Sequence, residues 1–182
     1  MAETAVYHIK VTRKWRKPPI WRRLQVRGDT KLGKLHAVLQ IAMGWWDEHL
    51  HEFEAGGIRY GQPDPGFPDD TRQERNVRLD KIAKEGDTLH YEYDFGDGWR
   101  HDLKIEKVLP PEPGAHYPRC LAGKRACPPE DCGGVPGYAW MLEIIADPKD
   151  QEHEEIVKWL GGDFGPEAFD LAAVNEDLGQ LR

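Results

Sequence analysis

The sequence predicts a single α+β domain over residues 1–182, with a mostly antiparallel sheet from N-terminal hairpins, one early helix and a C-terminal helical segment. Three observations predict it. Segments with strand-like alternation come first and helix-like segments come last, which is typical of α+β folds. Tight-turn sequences join successive strand segments, as antiparallel hairpins require. The length is that of one ordinary domain, and a chain of this size buries roughly 70% of its unfolded surface.

The first elements are a predicted hairpin and a helix. Polar and apolar residues alternate over residues 7–14 and 20–27, and a proline pair separates the two segments. Arg22 falls on the inward face of the second strand, so we expect it to find a partner or to lie at an exposed strand end. Leucines at three- and four-residue spacing then predict a helix over residues 31–43, which Gly44 ends in a left-handed conformation.

Two further hairpins and three helices complete the prediction. The remaining strand segments alternate in the same way and are joined by glycine-containing turns: residues 49–54 with 58–60, and residues 88–94 with 99–108. Two segments rich in proline and glycine are predicted as loops: residues 61–75 and 110–137. Apolar spacing predicts the C-terminal helices: residues 137–146, residues 150–160 and a final helix capped by Asp170.

Composition and the first residues favour a cytoplasmic protein. Hydrophobic residues make up 39% and charged residues 31% of the chain, and no run approaches the ~18 apolar residues that a membrane span needs. The chain does not start with a basic segment followed by an apolar one, so we expect no signal peptide. Three cysteines are an odd number, which argues against a disulfide framework. We therefore expect no membrane partner.

The charge is unevenly distributed, which makes nucleic-acid binding an alternative function. The net charge is -7, yet residues 1–35 carry ten lysines and arginines against two acids. In the simpler interpretation these basic residues are solvated or attract the acidic C-terminal end. Basic and aromatic residues also mix there as they do in stacking platforms for nucleic acids: Trp15, Arg16, Lys17, Trp21, Arg22 and Arg23. The overall acidity argues against strong non-specific binding.

A glycine turn with two carboxylates is the first candidate site. Asp94 and Asp97 flank Gly96 in the predicted turn, and His101 follows in the returning strand. Such a hairpin tip can hold a divalent ion or supply acid and base groups. In the simpler interpretation, aspartate and glycine only satisfy a tight turn. The sequence leaves both interpretations open.

Two other sets of residues are candidate metal ligands. One predicted loop carries four nitrogen or sulfur ligands within 17 residues, which is compatible with zinc: His116, Cys120, Cys127 and Cys132. Their spacing is not that of a zinc finger, so buried thiols without a metal are the simpler interpretation, and a reactive thiol is a third. His49 and His51 alternate as strand residues do and could chelate an ion, although such pairs are more common in cores and interfaces.

Six ordered motifs resemble one protein family. They are Pro19-Ile20-Trp21-Arg22-Arg23, Leu35-His36, Gln40-Ile41-Ala42-Met43-Gly44-Trp45, His49-Leu50-His51-x-Phe53, Tyr91-x-Tyr93-Asp94-Phe95-Gly96-Asp97-x-Trp99-x-His101 and Cys127-Pro128-Pro129-Glu130-Asp131-Cys132-Gly133-Gly134-x-x-Gly137-Tyr138. Together they resemble the Ri-plasmid ORF-three-like family over about residues 7–175. The resemblance implies a compact α+β domain of bacteria and archaea, sometimes on plasmids or beside transposable elements, with no established activity. Some members are labelled resolvase-like transposon passengers, but a serine recombinase needs a nucleophilic serine and this chain contains none.

The polar residues of these motifs exceed what a fold alone requires. Buried polar groups are costly unless they are paired, so the set forms one satisfied network or lines a pocket. We expect the hairpin of residues 94–101 and the loop of residues 127–134 to meet and form that pocket. The candidate catalytic residues are then Asp94, Asp97, His101, Glu130 and Asp131. The candidate binding residues are His49, His51, Tyr93, Trp99, Arg22 and Arg23.

Three functions fit the sequence. The first is a non-catalytic binding or adaptor domain with a polar, aromatic-lined pocket for a macromolecular or small-molecule partner. The second is a metal-dependent hydrolase or nuclease, served by zinc or another divalent metal. The third is a nucleic-acid binder that uses the basic first hairpin.

Overall fold

The described residues of the computed structural model, 4–14 and 17–181, are organised around one sheet of eight strands. The elements are, in chain order, β1 (Val6–Arg13), β2 (Trp21–Arg27), α1 (Leu32–Met43), β3 (His51–Ala55), β4 (Ile58–Gly61), β5 (Arg72–Gln73), α2 (Leu79–Ile82), β6 (Thr88–Tyr93), β7 (Trp99–Leu109), β8 (Arg119–Lys124), α3 (Gly134–Ala146), α4 (His153–Trp159) and α5 (Leu171–Gln180). The strand order is β5-β4-β3-β6-β7-β1-β2-β8, and only the β4–β5 pair is parallel among these residues. This confirms the predicted α+β class with a mostly antiparallel sheet.

The first hairpin and α1 form as the sequence predicts. β1 pairs with β2 in antiparallel register, and the inward residues Ile9 and Leu24 are fully buried. α1 ends at Gly44, whose φ of 96° is a left-handed conformation that glycine adopts without steric cost. Arg22 faces inward and donates hydrogen bonds to backbone carbonyls, so the expected partners exist.

Two rows of inward side chains cross the middle of the sheet. Strands β3, β6 and β7 align one row: His51, Tyr93 and Trp99. The same strands align the next row: Phe53, Tyr91 and His101. Directly opposed residues point to the same face of a sheet, so six rings meet there. All of them except His51 are at most 1% exposed, and this aromatic layer supports the end of the sheet where the hairpin turn lies.

A strand runs through the segment that the sequence predicts as a long loop. β8 pairs with β2, with a register shift between Arg23 and Leu24. Asn175 of α5 holds it from the side, because its amide oxygen accepts from Cys120 N at 2.8 Å and its amide nitrogen donates to Cys120 O at 2.9 Å. β8 lacks polar–apolar alternation, so its pairing depends on these tertiary contacts rather than on a local pattern.

The C-terminal helices form close to their predicted positions. α3 begins at Gly134, three residues before the predicted start, and buries Tyr138 and Met141. The Asp170 side chain accepts from Ala173 N at 3.0 Å and caps α5 as expected. Within the described ranges, no helix combines the length and apolar character needed to cross a membrane.

Candidate functional site

Asp94 closes the turn between β6 and β7. Its φ is 56°, and its side chain is 8% exposed. Oδ1 accepts from Gly96 N at 3.0 Å and from Asp97 N at 3.2 Å, so the expected turn chemistry is present. The turn uses only this oxygen. Oδ2 faces His49, with 3.6 Å between Oδ2 and Nε2.

The hairpin and the loop of residues 127–134 contact each other directly. Asp97 Oδ2 accepts from Gly133 N at 3.2 Å. A Cβ atom on Gly134 would lie 2.7 Å from Asp97 O, so only glycine permits this approach. The structure therefore brings together the two segments that the sequence predicts to meet, and Asp97 is one of the residues that join them.

Glu130 connects the loop of residues 127–134 to the core by hydrogen bonds. Its Oε1 accepts from Tyr93 OH at 2.9 Å and from Trp46 N at 3.0 Å. Trp45 Nε1 donates to Pro128 O at 3.1 Å, which fixes the same loop two residues earlier. Burial and the hydrogen bond to Glu130 both raise the pKa of Tyr93, so its hydroxyl stays protonated and remains a donor.

Five ionisable side chains converge beside the hairpin, and we call this group the acidic recess: Glu48, His49, Asp94, Glu130 and Asp131. His49 Nε2 lies 2.9 Å from Asp131 Oδ1, 3.6 Å from Asp94 Oδ2 and 3.9 Å from Glu130 Oε2. Glu48, His49 and Asp131 each offer a ligand atom within 4.8 Å of the others. The acidic recess therefore places four carboxylates around one imidazole.

Two atoms of the acidic recess are buried without a directed hydrogen bond from the described residues: His49 Nε2 and Glu130 Oε2. Asp131 Oδ1 lies 2.9 Å from His49 Nε2 and forms an ion pair with it, although the contact lacks the geometry of a directed hydrogen bond. Burial disfavours the charged form of His49, but attraction to Asp94 and Asp131 outweighs burial and raises its pKa. A buried acceptor without a partner costs about 1–3 kcal/mol, so a positively charged ligand would be stabilised at Glu130 Oε2, whereas at His49 Nε2 it would have to replace the proton.

The distances from His49 Nε2 can be compared with those between ligand atoms around a divalent cation. Ligand atoms about 2.1 Å from an ion lie about 3.0 Å apart when adjacent in an octahedron and about 3.4 Å apart in a tetrahedron. The distances from His49 Nε2 to Asp131 Oδ1 and Asp94 Oδ2, 2.9 and 3.6 Å, lie near these values, whereas the 3.9 Å to Glu130 Oε2 is longer. The ligand atoms that all lie within 4.8 Å of one another are those of Glu48, His49 and Asp131. One imidazole combined with carboxylates suits Zn²⁺ or Mn²⁺.

His36 and His51 form a separate, stacked pair near Tyr93. Their ring centres are 3.5 Å apart, and the rings are within 8° of parallel. His51 Nε2 lies 2.9 Å from Glu74 Oε2, and His36 Nε2 lies 2.7 Å from Asp47 Oδ1. Together with Asp47 the two histidines offer three ligand atoms within 4.8 Å of one another. Parallel stacked rings nevertheless direct their lone pairs side by side rather than at one point, so this group is a poor chelate. His51 is engaged here and His49 lies in the acidic recess, so the predicted chelating pair does not form.

His101 and Trp99 lie in the core rather than in the acidic recess. Both are fully buried. His101 packs with ring centres 5.3 Å from Trp45 and 5.5 Å from Tyr91. Burial and the Arg13 guanidinium lower the pKa of His101 to about 3, so its ring is neutral. The predicted acid–base role of His101 and the predicted ligand contact of Trp99 therefore lack solvent access in this structure.

The structure does not bring the four predicted zinc ligands together. Among the residues with described positions, no group of three close ligand atoms includes any of them: His116, Cys120, Cys127 and Cys132. Cys120 Sγ instead contacts Ala122 O at 3.4 Å. Burial raises the pKa of Cys127 well above its ordinary value and that of Cys132 to about 12. Protonated, buried thiols are poor metal ligands and poor nucleophiles, which favours the interpretation as inert thiols.

The arginines of the first hairpin are engaged within the protein. Arg23 donates two hydrogen bonds to Glu106, at 2.7 and 3.0 Å. Arg22 is 2% exposed. Trp15 and Arg16, which the nucleic-acid alternative also uses, lie outside the described residues. Glu106 neutralises Arg23, and Arg22 is buried, so neither presents its charge on the outer surface where a phosphate backbone would bind, and this alternative gains no support here.

The sequence analysis did not identify three residues of this region as site residues. Glu48 directly precedes His49, and Trp46 lies in the same motif-rich segment, so the local sequence could have pointed to both. Glu74 comes from a segment predicted as a loop, and no local pattern marks it. Trp46, Glu48 and Glu130 also line a cleft of about 640 Å³, which we call the large cleft.

Relatives match this chain over nearly its whole length. The family described as "Plasmid pRiA4b ORF-3-like protein" matches residues 5–173. The uncharacterized protein y4hQ of Sinorhizobium fredii (strain NBRC 101917 / NGR234) is 37% identical over 180 residues, which cover 97% of this chain and 92% of that protein. The crystal structure of a protein of unknown function, MM3350 from Methanosarcina mazei Go1, matches with a TM-score of 0.86 and 40% identity, covering 97% of this chain and 99% of that one.

Proposed function

The chain belongs to the plasmid pRiA4b ORF-3-like family, and from that premise we propose that it is a binding domain whose acidic recess holds a divalent cation. The observation that supports this most directly is the convergence on His49 Nε2 of carboxylates from the hairpin and from the loop. The proposal includes a cytoplasmic location, because the three cysteines are free. The link to mobile elements rests on the family's name alone.

The charge of the acidic recess favours a cationic ligand. The side chains of Asp94 and Glu130 are only 8% and 12% exposed, so water screens their charges weakly. Like charges in such surroundings repel unless a proton or a cation lies between them. His49 supplies at most one positive charge against four carboxylates. A divalent ion bound to His49 Nε2 would replace that proton, so it would offset one further negative charge, and it would give the buried Glu130 Oε2 a positively charged partner.

Binding fits the described residues better than hydrolysis does. His101 is buried in the core, and Asp97 is used to join the hairpin to the loop, so two of the predicted acid–base residues are engaged elsewhere. A bound cation would lock the hairpin to the loop and offer its open coordination positions to an acidic group of a partner. Trp46 and Phe95, which are 80% and 53% exposed, provide apolar contact area for that partner.

Calorimetric titration of metal-free protein with Mn²⁺, and separately with Zn²⁺, tests the proposal. We expect one site per chain. His49→Ala and Glu130→Gln should each weaken binding by at least about 10-fold, because losing a ligand costs no less than the 10- to 100-fold typical of outer-shell changes. His90→Ala is the matched control, since it removes an exposed histidine that pairs with Asp102 instead.

The control defines what would count against the proposal. Saturable binding that persists in both recess variants would place the cation elsewhere in the protein. The absence of saturable binding of either ion by the folded protein would contradict the proposal outright. Circular dichroism of each variant separates loss of a ligand from loss of the fold.

A further inference from the structure

Arg22 is a buried cation to which the described residues offer no carboxylate within 4.0 Å. Its three hydrogen bonds go to neutral carbonyl oxygens. Nε donates to Ala42 O at 2.7 Å, and Nη1 donates to Trp21 O at 2.8 Å and to Lys124 O at 3.0 Å. Removing a charge from water is costly, so buried arginines are normally paired with an anion.

Neighbouring groups do not supply the missing negative charge. The titratable groups that act on Arg22 are Cys127 and Cys120, and burial raises the pKa of both, so both thiols are neutral. Ala42 O lies at the C-terminal end of α1, where the helix dipole provides a partial negative charge. The partial charge of the helix end explains the position of Nε, but it does not balance the full positive charge of the guanidinium. Nη2 makes none of the three hydrogen bonds.

Arg22 forms part of the wall of the large cleft. Phe169 stacks on its guanidinium, with 4.2 Å between the guanidinium carbon and the ring centre. Gly123 leaves room for this stack, because a Cβ atom there would lie 2.9 Å from Arg22 Cδ. Much of the remaining wall is apolar: Ile41, Met43, Trp159, Leu160, Phe164 and Val174. A ligand that fills the large cleft therefore needs an apolar body, and its charged group would reach the guanidinium of Arg22, which is only 2% exposed, beside the Phe169 ring.

Four carboxylates also line the large cleft: Glu48, Glu130, Asp170 and Asp177. None of them pairs with Arg22. Asp170 is engaged as the cap of α5, and Glu48 and Glu130 belong to the acidic recess. These groups repel an anion at their own positions, so an anionic ligand has one favourable orientation, with its charge at Arg22.

We propose that the large cleft binds an organic anion with an apolar body, of the kind exemplified by a medium-chain carboxylate, and that Arg22 is the binding residue for the charged group. The proposal stands on a buried guanidinium and a cleft rather than on a bound cation, but Glu48 and Glu130 line both sites, so the probes are titrated into metal-free protein. A carboxylate accepts a charge-assisted hydrogen bond from a guanidinium, which an alcohol of equal length does not match in strength.

Calorimetric titration with octanoate, and with 1-octanol as the neutral probe, tests this proposal. We expect octanoate to bind at least about 10-fold more tightly than 1-octanol. Arg22→Gln should abolish that difference. Arg23→Gln should preserve it, because the neighbouring arginine pairs with Glu106. Ala173→Trp should weaken both probes, because it fills the large cleft from an exposed position on α5.

Several outcomes would overturn the proposal. Equal affinities for octanoate and 1-octanol would remove the role of Arg22, and an octanoate affinity unchanged by Ala173→Trp would place binding outside the large cleft. These two results remain decisive even if Arg22→Gln does not fold. No octanoate binding at millimolar concentration would also overturn it. Octanoate binding that persists when the His49→Ala variant no longer binds cations would show that the two proposals stand or fall separately.

Discussion

His101 shows at the scale of one residue how burial changes the chemistry of a side chain. The sequence places this histidine two residues into a strand that follows a carboxylate-rich turn, which suggests an acid–base role. In the structure its Nε2 has no hydrogen-bond partner among the described residues, and its Nδ1 lies 3.4 Å from Tyr91 O. Burial lowers the pKa of His101 to about 3, whereas a histidine in an unfolded chain has a pKa near 6.5. The folded state therefore excludes a proton that the unfolded state accepts.

His101→Phe should reduce the sensitivity of the protein to mild acid. Because the folded pKa is lowered, the stability associated with His101 is fully present above about pH 6.5 and is lost as the pH falls towards about 3. Between pH 7.5 and 5 the wild type should lose about 2 kcal/mol more free energy of unfolding than His101→Phe does. Urea denaturation at both pH values measures this. Parallel losses in the two proteins would show that His101 does not bind the proton.

The junction between the β6–β7 hairpin and the loop of residues 127–134 is the decisive contact at the scale of elements. Each segment could satisfy its own turn: Asp94 does so in the hairpin. Two contacts nevertheless cross between them, from Gly133 N to Asp97 and from Tyr93 OH to Glu130. The first requires close backbone approach at Gly134, which has a φ of 69°. The acidic recess exists only because this junction holds its carboxylates together.

Gly134→Ala should open that junction. The added Cβ would lie 2.7 Å from Asp97 O, and alanine would also have to adopt a positive φ, so we expect a loss of at least about 2 kcal/mol in the free energy of unfolding. Gly86→Ala is the control, because its φ is 91° and a Cβ atom added there would meet no heavy atom within 4 Å. Only the cost of a positive φ, about 1–2 kcal/mol, applies there. Urea denaturation compares the two variants, and equal losses would refute the close approach.

At the scale of the whole molecule, the acidic recess is assembled from three distant parts of the chain. His49 precedes β3, Asp94 follows β6, and Glu130 and Asp131 precede α3. Strand pairing places the first two side by side, since His51 is opposite Tyr93 in the sheet. The loop then reaches them through Tyr93 and Trp46. A cation at the acidic recess would therefore act on the stability of the entire fold.

Cation binding should raise the free energy of unfolding of the whole protein. A ligand at 100 times its dissociation constant that binds only the folded state adds about 3 kcal/mol, and the gain grows with the logarithm of its concentration. Urea denaturation with and without Mn²⁺ measures this effect, together with the Glu130→Gln variant, which should show little gain. His90→Ala should keep the full gain. A gain of equal size in Glu130→Gln would mean that the stabilising ion binds outside the acidic recess.

The sequence by itself determined the elements whose pattern is local. Alternation over residues 7–14 gives β1, leucine spacing followed by Gly44 gives α1, and Asp170 caps α5. Local periodicity reflects which face of an element is buried, and each of these elements buries one face against the core. The sequence motifs also pointed to the hairpin and the loop that meet at the candidate site.

Only the tertiary structure decided which polar residues of those motifs share one environment. His49 and His51 are two residues apart, yet one lies among carboxylates in the acidic recess and the other stacks on His36. His101 turned inward because its strand position faces the aromatic layer, and β8 formed because Asn175 and β2 supply its partners. Contacts between segments far apart in the chain depend on packing and on the charge of distant neighbours, which no local pattern encodes.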